Sequence, residues 1–184
     1  HQNNYFGFNR LSIVGSNNSN QPIHDNEKLL IFNGELYNFR ELRSELTAAG
    51  HTFRGHSDTE VILAGFEAWG IEAATKRMIG MFAIALWDSE NRDLYLIRDR
   101  LGIKPIYWAM FGEVLAFGSE LKALRVCPGW TPEIDRDALA AYMRHNYIPA
   151  PHTIYKGVHK LQQGHILRIP KSGEPQETVF WSLQ

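Results

Sequence analysis

Three places in the chain carry residue types that could do chemistry: Asn33-Gly34-Glu35, Asp58 and Arg10. Asn33 and Gly34 directly follow the run from Lys28 to Phe32. An Asn side chain donates two N–H bonds, and a Gly lets its backbone N–H come close to a ligand. Side by side they could form an oxyanion hole, a set of donors fixed before charge develops on a tetrahedral intermediate. Taken alone, the dipeptide is better read as a tight turn. Arg10 sits within the strand-like stretch, in Asn9-Arg10-Leu11-Ser12-Ile13-Val14. Its planar fork suits a carboxylate, whereas strand alternation alone makes it an ordinary exposed Arg. Asp58 follows Ser57 at a helix start, where a carboxylate complements the helix dipole. Its functional partner would be an ammonium group, shared with Glu35.

Arg98 to Pro105 is densely charged between two apolar runs. It reads equally as a solvated turn set by Gly102 and Pro105 or as an ordered ion-pair corner. Cys127 is the single cysteine and reads as a small, partly buried thiol near a helix end. One thiol makes neither an internal disulfide nor a Cys-x-x-Cys site. The eight histidines show no His-Glu-x-x-His spacing, which argues against zinc. Glycine-rich phosphate signatures and a Gly-x-Ser-x-Gly elbow are absent.

The elements that would hold these residues follow from pattern. Tyr5 to Val14 reads as a strand and Gly15 to Pro22 as a polar loop. Lys28 to Phe32 is a short strand. Asn38 can cap a helix through Ala49, with Gly50 as its stop. Ser57-Asp58-Thr59-Glu60 is a capping box before a helix running to about Trp69. Met81 to Trp87 is nearly all apolar, as in a strand buried on both faces. Strands are expected over Leu94 to Arg98, Ile106 to Phe111, Val114 to Gly118 and Ile166 to Ile169. Helices are expected over Glu120 to Val126 and Arg136 to His145. This irregular order favours packed sheets with flanking helices over a doubly wound parallel sheet.

The 184 residues suit one domain, and 44% hydrophobic content is enough for a real core. Nineteen basic residues against 20 acidic ones give a formal charge of −1. That balance offers no electrostatic reason to bind nucleic acid or an anionic membrane. No apolar run approaches the roughly 20 residues that span a bilayer. The cysteine usage makes a reducing cytoplasm the default. The start, His1-Gln2-Asn3-Asn4-Tyr5, has no initiator Met and enters a strand directly, so the chain reads as a fragment.

The ordered set of motifs resembles the class II glutamine amidotransferase domain of the glutamine-hydrolysing asparagine synthetase family. The matching segments are Arg10 to Val14, Gln21-Pro22, Phe32 to Asn38, His56 to Glu60 and Gly80 to Ala83. They continue with Arg98 to Pro105, Ser119 to Leu124, Tyr147 to Pro151 and Lys160 to Gly164. Each is weak alone; together, in order, they are specific. The resemblance implies an α+β fold of the N-terminal-nucleophile hydrolase type, a four-layer αββα sandwich of two antiparallel sheets truncated at its amino terminus. It implies that residues 1–179 are the amidotransferase domain and 180–184 the start of a linker to a synthetase domain.

By the same resemblance, an amino-terminal Cys attacks the side-chain amide of glutamine, with its own α-amine as general base. Arg10 would bind the α-carboxylate, and Glu35 and Asp58 the α-ammonium. Asn33 and Gly34 would form the oxyanion hole, and Ile13 and Val14 would line the pocket with backbone. The partners implied are glutamine and a C-terminal synthetase domain of the same polypeptide, and a homodimer is compatible with the family. No cofactor is expected in this chain; ATP and Mg²⁺ belong to the synthetase domain, which amidates aspartate. This chain departs from the pattern in lacking the Cys-Gly-Ile-like start, in Phe8-Asn9 where the family has His-Arg, and in Gly15 where it has Asp. Without the nucleophile the chain is expected to be inactive by itself. A paralogue with a different amide acceptor and a non-catalytic scaffold are the competing readings.

Overall fold

The computed structural model describes residues 21–25 and 27–183. The strand expected over Tyr5 to Val14, the first part of the following loop, and Arg10, Ile13 and Val14 lie outside the described residues. Among those described, nine strands and five helices follow in the order β1 (Ile23–Asp25), β2 (Lys28–Leu36), α1 (Phe39–Ala48), α2 (Asp58–Trp69), α3 (Ile71–Arg77), β3 (Gly80–Asp88), β4 (Asp93–Arg98), β5 (Tyr107–Phe111), β6 (Val114–Gly118), α4 (Leu121–Leu124), α5 (Arg136–His145), β7 (Val158–Lys160), β8 (His165–Ile169) and β9 (Gln176–Val179).

The strands form two antiparallel sheets. Six strands run in the order β1-β2-β3-β4-β8-β9, and three in the order β6-β5-β7. The centre of the larger sheet is the β2–β3 pair, in register from Lys28 opposite Asp88 to Leu36 opposite Gly80. Both strands are apolar on both sides because both sides are covered. Leu30, Phe32 and Leu36 of β2 join Phe82, Ile84 and Leu86 of β3 against α1, α2 and α3. The alternate residues, Ile31, Ala83 and Ala85, face the smaller sheet with Leu94, Leu96, Ile106, Leu161 and Leu167. The outer face of the smaller sheet packs Ala109 and Val158 against Leu124 of α4, Trp130 and Tyr155. The layers are therefore helix, sheet, sheet, helix, the αββα order expected.

Local signals explain most boundaries. Ser57 Oγ accepts from Glu60 N at 3.4 Å, the first half of the capping box. The second half differs: the Glu60 carboxylate accepts from Gly55 N at 2.9 and 3.1 Å, tying down the loop before the helix. Asn38 stands at the N-cap of α1, but its side chain makes no capping bond. Instead Nδ2 donates to Arg77 O and Oδ1 accepts from Ile79 N, which pins the end of α3 beside the start of α1. Asp135 caps α5, accepting from Asp137 N and Ala138 N, and Asn146 closes that helix in a left-handed conformation.

Four expectations need correction. The strand expected to stop at Phe32 continues through Asn33 and Gly34 to Leu36, so Asn33-Gly34 is not a turn. Glycine is required there for close approach: a Cβ on Gly34 would lie 2.0 Å from the Met81 carbonyl oxygen across the pair. The helix from Glu120 shrinks to the four residues Leu121–Leu124. Helix α3 and the strands β1, β7 and β9 add to the pattern read from sequence. The Arg98–Pro105 corner is ordered, but the charged side chains of Arg98 and Asp99 hold it through bonds to backbone, not through ion pairs.

Candidate active site at the end of β2

Asn33 and Glu35 project from β2 into the side that faces the smaller sheet, while Gly34 and Leu36 face the helices. Asn33 is half-buried and in register with Ala83. Its Nδ2 donates to Ser119 Oγ at 3.3 Å, a bond across 86 positions of sequence. Ser119 lies between the end of β6 and Glu120, the N-cap residue of α4. The carboxamide thus bridges the two sheets. Nδ2 carries two hydrogens, so a bond to Ser119 leaves a second N–H to donate to another acceptor.

Gly34 is in register with Phe82, and the two backbones meet closely enough to exclude any side chain at position 34. Asp58 is brought to the same place from the helical layer. Its Oδ2 accepts from Leu36 N at 3.3 Å and its Oδ1 from the Thr59 hydroxyl at 3.4 Å. Ser57, not Asp58, caps α2, so the Asp58 carboxylate joins the helix start to the strand end. Glu35 is exposed. Asn33, Gly34, Glu35 and Asp58 therefore gather around one strand end. A separate cleft of about 790 Å³ between β1 and the 50–55 loop is lined by Glu60 and Glu67 of α2 and by none of these four.

Three further residues, Gln21, Asp99 and Arg98, brace the site; their segments stand out in the sequence, but their bonds to the site do not. Gln21 Oε1 accepts from Phe32 N at 2.7 Å, immediately before Asn33. Asp99, fully buried, accepts four backbone N–H bonds, from Phe82, Leu101, Ile103 and Lys104, at 2.9 to 3.2 Å. Asp99 N also donates to Phe82 O at 2.9 Å, so both polar groups of the residue opposite Gly34 end on Asp99. The buried charge is affordable because all of its bonds are to preset N–H groups. Arg98 donates to the carbonyls of Lys104, Leu161 and Gly102 at 3.0, 2.6 and 2.7 Å. Burial lowers the pKa of its guanidinium from the ordinary value, although the neighbouring Asp99 works the other way. These bonds make the corner a rigid support behind β3.

Cys127 follows α4, and its backbone nitrogen donates to Leu124 O. As a peptide nitrogen it offers no free amine to act as a base beside the thiol. Among the described residues no group of three or more His, Cys, Asp or Glu side chains could hold a metal ion, and no helix is long and apolar enough to cross a membrane.

The model of the glutamine amidotransferase domain family matches residues 1–181. The chain belongs to this family. It is a class II glutamine amidotransferase domain, and its two antiparallel sheets between helices are the N-terminal-nucleophile hydrolase arrangement. Asparagine synthetase [glutamine-hydrolyzing] 1 of Bacillus subtilis is 43% identical over 171 residues, 92% of this chain and 27% of that protein. A putative asparagine synthetase [glutamine-hydrolyzing] of Mycobacterium tuberculosis is 43% identical over 174 residues, 89% of this chain and 26% of that protein. The amidotransferase domain thus spans about a quarter of the length of these curated relatives. The solved glutamine phosphoribosylpyrophosphate amidotransferase of B. subtilis, complexed with ADP and GMP, shares the fold with a TM-score of 0.61 at 21% identity, over 88% of this chain and 32% of that one.

Proposed function

We propose that the end of β2 is a glutamine site and that the full-length protein hydrolyses glutamine there to glutamate and ammonia. The observation that carries this reading is the half-buried Asn33 carboxamide beside Gly34, with Asp58 tied to the same strand end. Asn33 Nδ2 and the Gly34 backbone N–H form the oxyanion hole. Glu35 and Asp58 hold the substrate ammonium, Arg10 its carboxylate, and Ile13 and Val14 supply pocket backbone. The nucleophile is a cysteine thiolate, as the family resemblance implies. Its sulfur bonds to the amide carbon, and the C=O π pair moves onto the oxygen facing Asn33. The amide nitrogen takes up a proton from the nucleophile's own ammonium, and collapse expels it as ammonia and leaves a thioester. Water then releases glutamate and restores the thiol.

The relatives' names support the next step. Ammonia passes to a synthetase part of the same polypeptide, which amidates aspartate with ATP and Mg²⁺. In this reading ATP and Mg²⁺ belong to that synthetase part, as the family resemblance implies. The chain as it stands, whose only thiol is Cys127, releases no ammonia from glutamine. The test is to give the full-length protein glutamine labelled with ¹⁵N in its amide, together with aspartate and ATP. Label appearing in asparagine is expected. Glutamine left intact would defeat the glutaminase reading, and labelled ammonia without labelled asparagine would point to another acceptor.

A further inference from the structure

We infer that Ser119 is a positioning residue for the oxyanion hole: its hydroxyl accepts from Asn33 Nδ2 and anchors the carboxamide from the second sheet. The inference rests on the proposed glutamine site and adds a part to it.

A carboxamide is useful as an oxyanion donor only if it points the right way before charge develops. Asn33 has two side-chain torsions, which β2 alone leaves free to turn. The other sheet restricts them. Ser119 Oγ lies 3.3 Å from Nδ2, leaving the second N–H for the substrate oxygen. Ser119 is itself well held. Gly118 pairs with Tyr107 of β5, and a Cβ on Gly118 would come within 3.2 Å of Ala123 Cβ. Ala123 N donates to Glu120 O, which starts α4 one residue beyond Ser119, and Leu124 of that turn is buried. The strand end, the tight turn and the anchored α4 fix the hydroxyl from one side as Gly34 and Phe82 fix Asn33 from the other.

The acceptor role also predicts which kinetic term moves. The groups proposed to hold the amino-acid end of glutamine are Arg10, Glu35 and Asp58, none of which is Ser119. Removing the hydroxyl therefore weakens stabilisation of the tetrahedral state and leaves ground-state binding alone.

The test uses the full-length protein with Ser119→Ala, Ser119→Thr, Asn33→Ala and the Asn33→Ala/Ser119→Ala pair. Ser119→Ala should lower glutaminase kcat about 10-fold to 100-fold with KM for glutamine within about twofold. Ser119→Thr keeps a hydroxyl and should recover most of the rate. An unchanged circular-dichroism spectrum and an unchanged unfolding midpoint of the amidotransferase domain should show that the variants fold. An aldehyde analogue of glutamine, which forms a tetrahedral adduct with the nucleophile, should lose affinity in parallel with kcat/KM, while glutamate affinity stays constant. Because Ser119 acts through Asn33, the double variant should be no slower than Asn33→Ala. Full glutaminase activity in Ser119→Ala, with Asn33→Ala crippled, would overturn the role of Ser119 and spare the oxyanion hole. Full activity in Asn33→Ala would overturn the hole itself.

Discussion

A methyl group at position 34 would place carbon 2.0 Å from the Met81 carbonyl oxygen, and backbone cannot step aside as a side chain can. Gly34→Ala should therefore force β2 from β3 at the candidate site. The expected cost is about 1–3 kcal/mol, read as a lower denaturant midpoint, together with loss of glutamine hydrolysis in the full-length protein. The same dipeptide shows where sequence reasoning stopped. Asn-Gly is a turn signal because both residues tolerate unusual backbone, but a Gly can equally be demanded by a neighbouring strand. Nothing within a few residues of Asn33 tells the two apart; the deciding atom belongs to Met81. Ser119 was legible as part of a motif and illegible as a partner of Asn33, for the same reason.

Asp88 gives a residue-scale test that is independent of function. In the turn after β3 its carboxylate accepts from Glu90 N, Asn91 N and Asn91 Nδ2 at 3.0 to 3.1 Å. Burial alone would raise its pKa, but the Asn91 and Glu90 bonds and the Lys28 charge outweigh it, and the group sits below its ordinary 3.8. A carboxylate whose pKa is lower folded than unfolded stabilises the fold fully above the unfolded value. That stabilisation fades as pH falls through the folded one. Asp88→Asn should thus cost about 1 kcal/mol at neutral pH, with the gap to the unaltered chain narrowing below about pH 4. A gap that is constant from pH 7 to pH 3 would contradict the assignment.

Among the elements, the Arg98–Pro105 corner matters most. Its charged residues are compatible with a solvated turn or an ion-pair corner, yet Arg98 donates to three carbonyls and Asp99 collects four N–H groups. Asp99→Asn turns an N–H₂ group toward donors that had a carboxylate. The expected loss is about 2–3 kcal/mol by chemical denaturation, with faster amide exchange at Phe82 and, through it, at the strand carrying Gly34. Elements with strong local causes were legible. Helix α5 has the bounds expected from its pattern, α2 starts at its capping box, and β3 matches an apolar run covered on both faces. The elements passed over were those whose cause is a neighbour. Strand β9 is exposed along its whole length and exists because β8 offers an edge, and β7 is three residues held to β5. Helix α3 begins at Gly70, which also ends α2, so a stop signal hid a start.

At the scale of the molecule, the candidate site exists because two sheets with different partners meet there. β2 brings Asn33 and Gly34, α2 brings Asp58 from the helical side, and Ser119 follows the end of β6 on the other. The layer order could be anticipated from the family resemblance, while irregular element order alone reached only packed sheets with flanking helices. The chain spans about a quarter of the length of the curated relatives it matches, and the fate proposed for the ammonia is a matter for the full-length protein. The most direct test of the account is Asn33→Ala in that protein, assayed once with glutamine and once with free ammonia as nitrogen source. The account predicts a fall of about 100-fold to 1000-fold in glutamine hydrolysis with ammonia-dependent amidation intact. Unchanged glutamine hydrolysis in Asn33→Ala would contradict it.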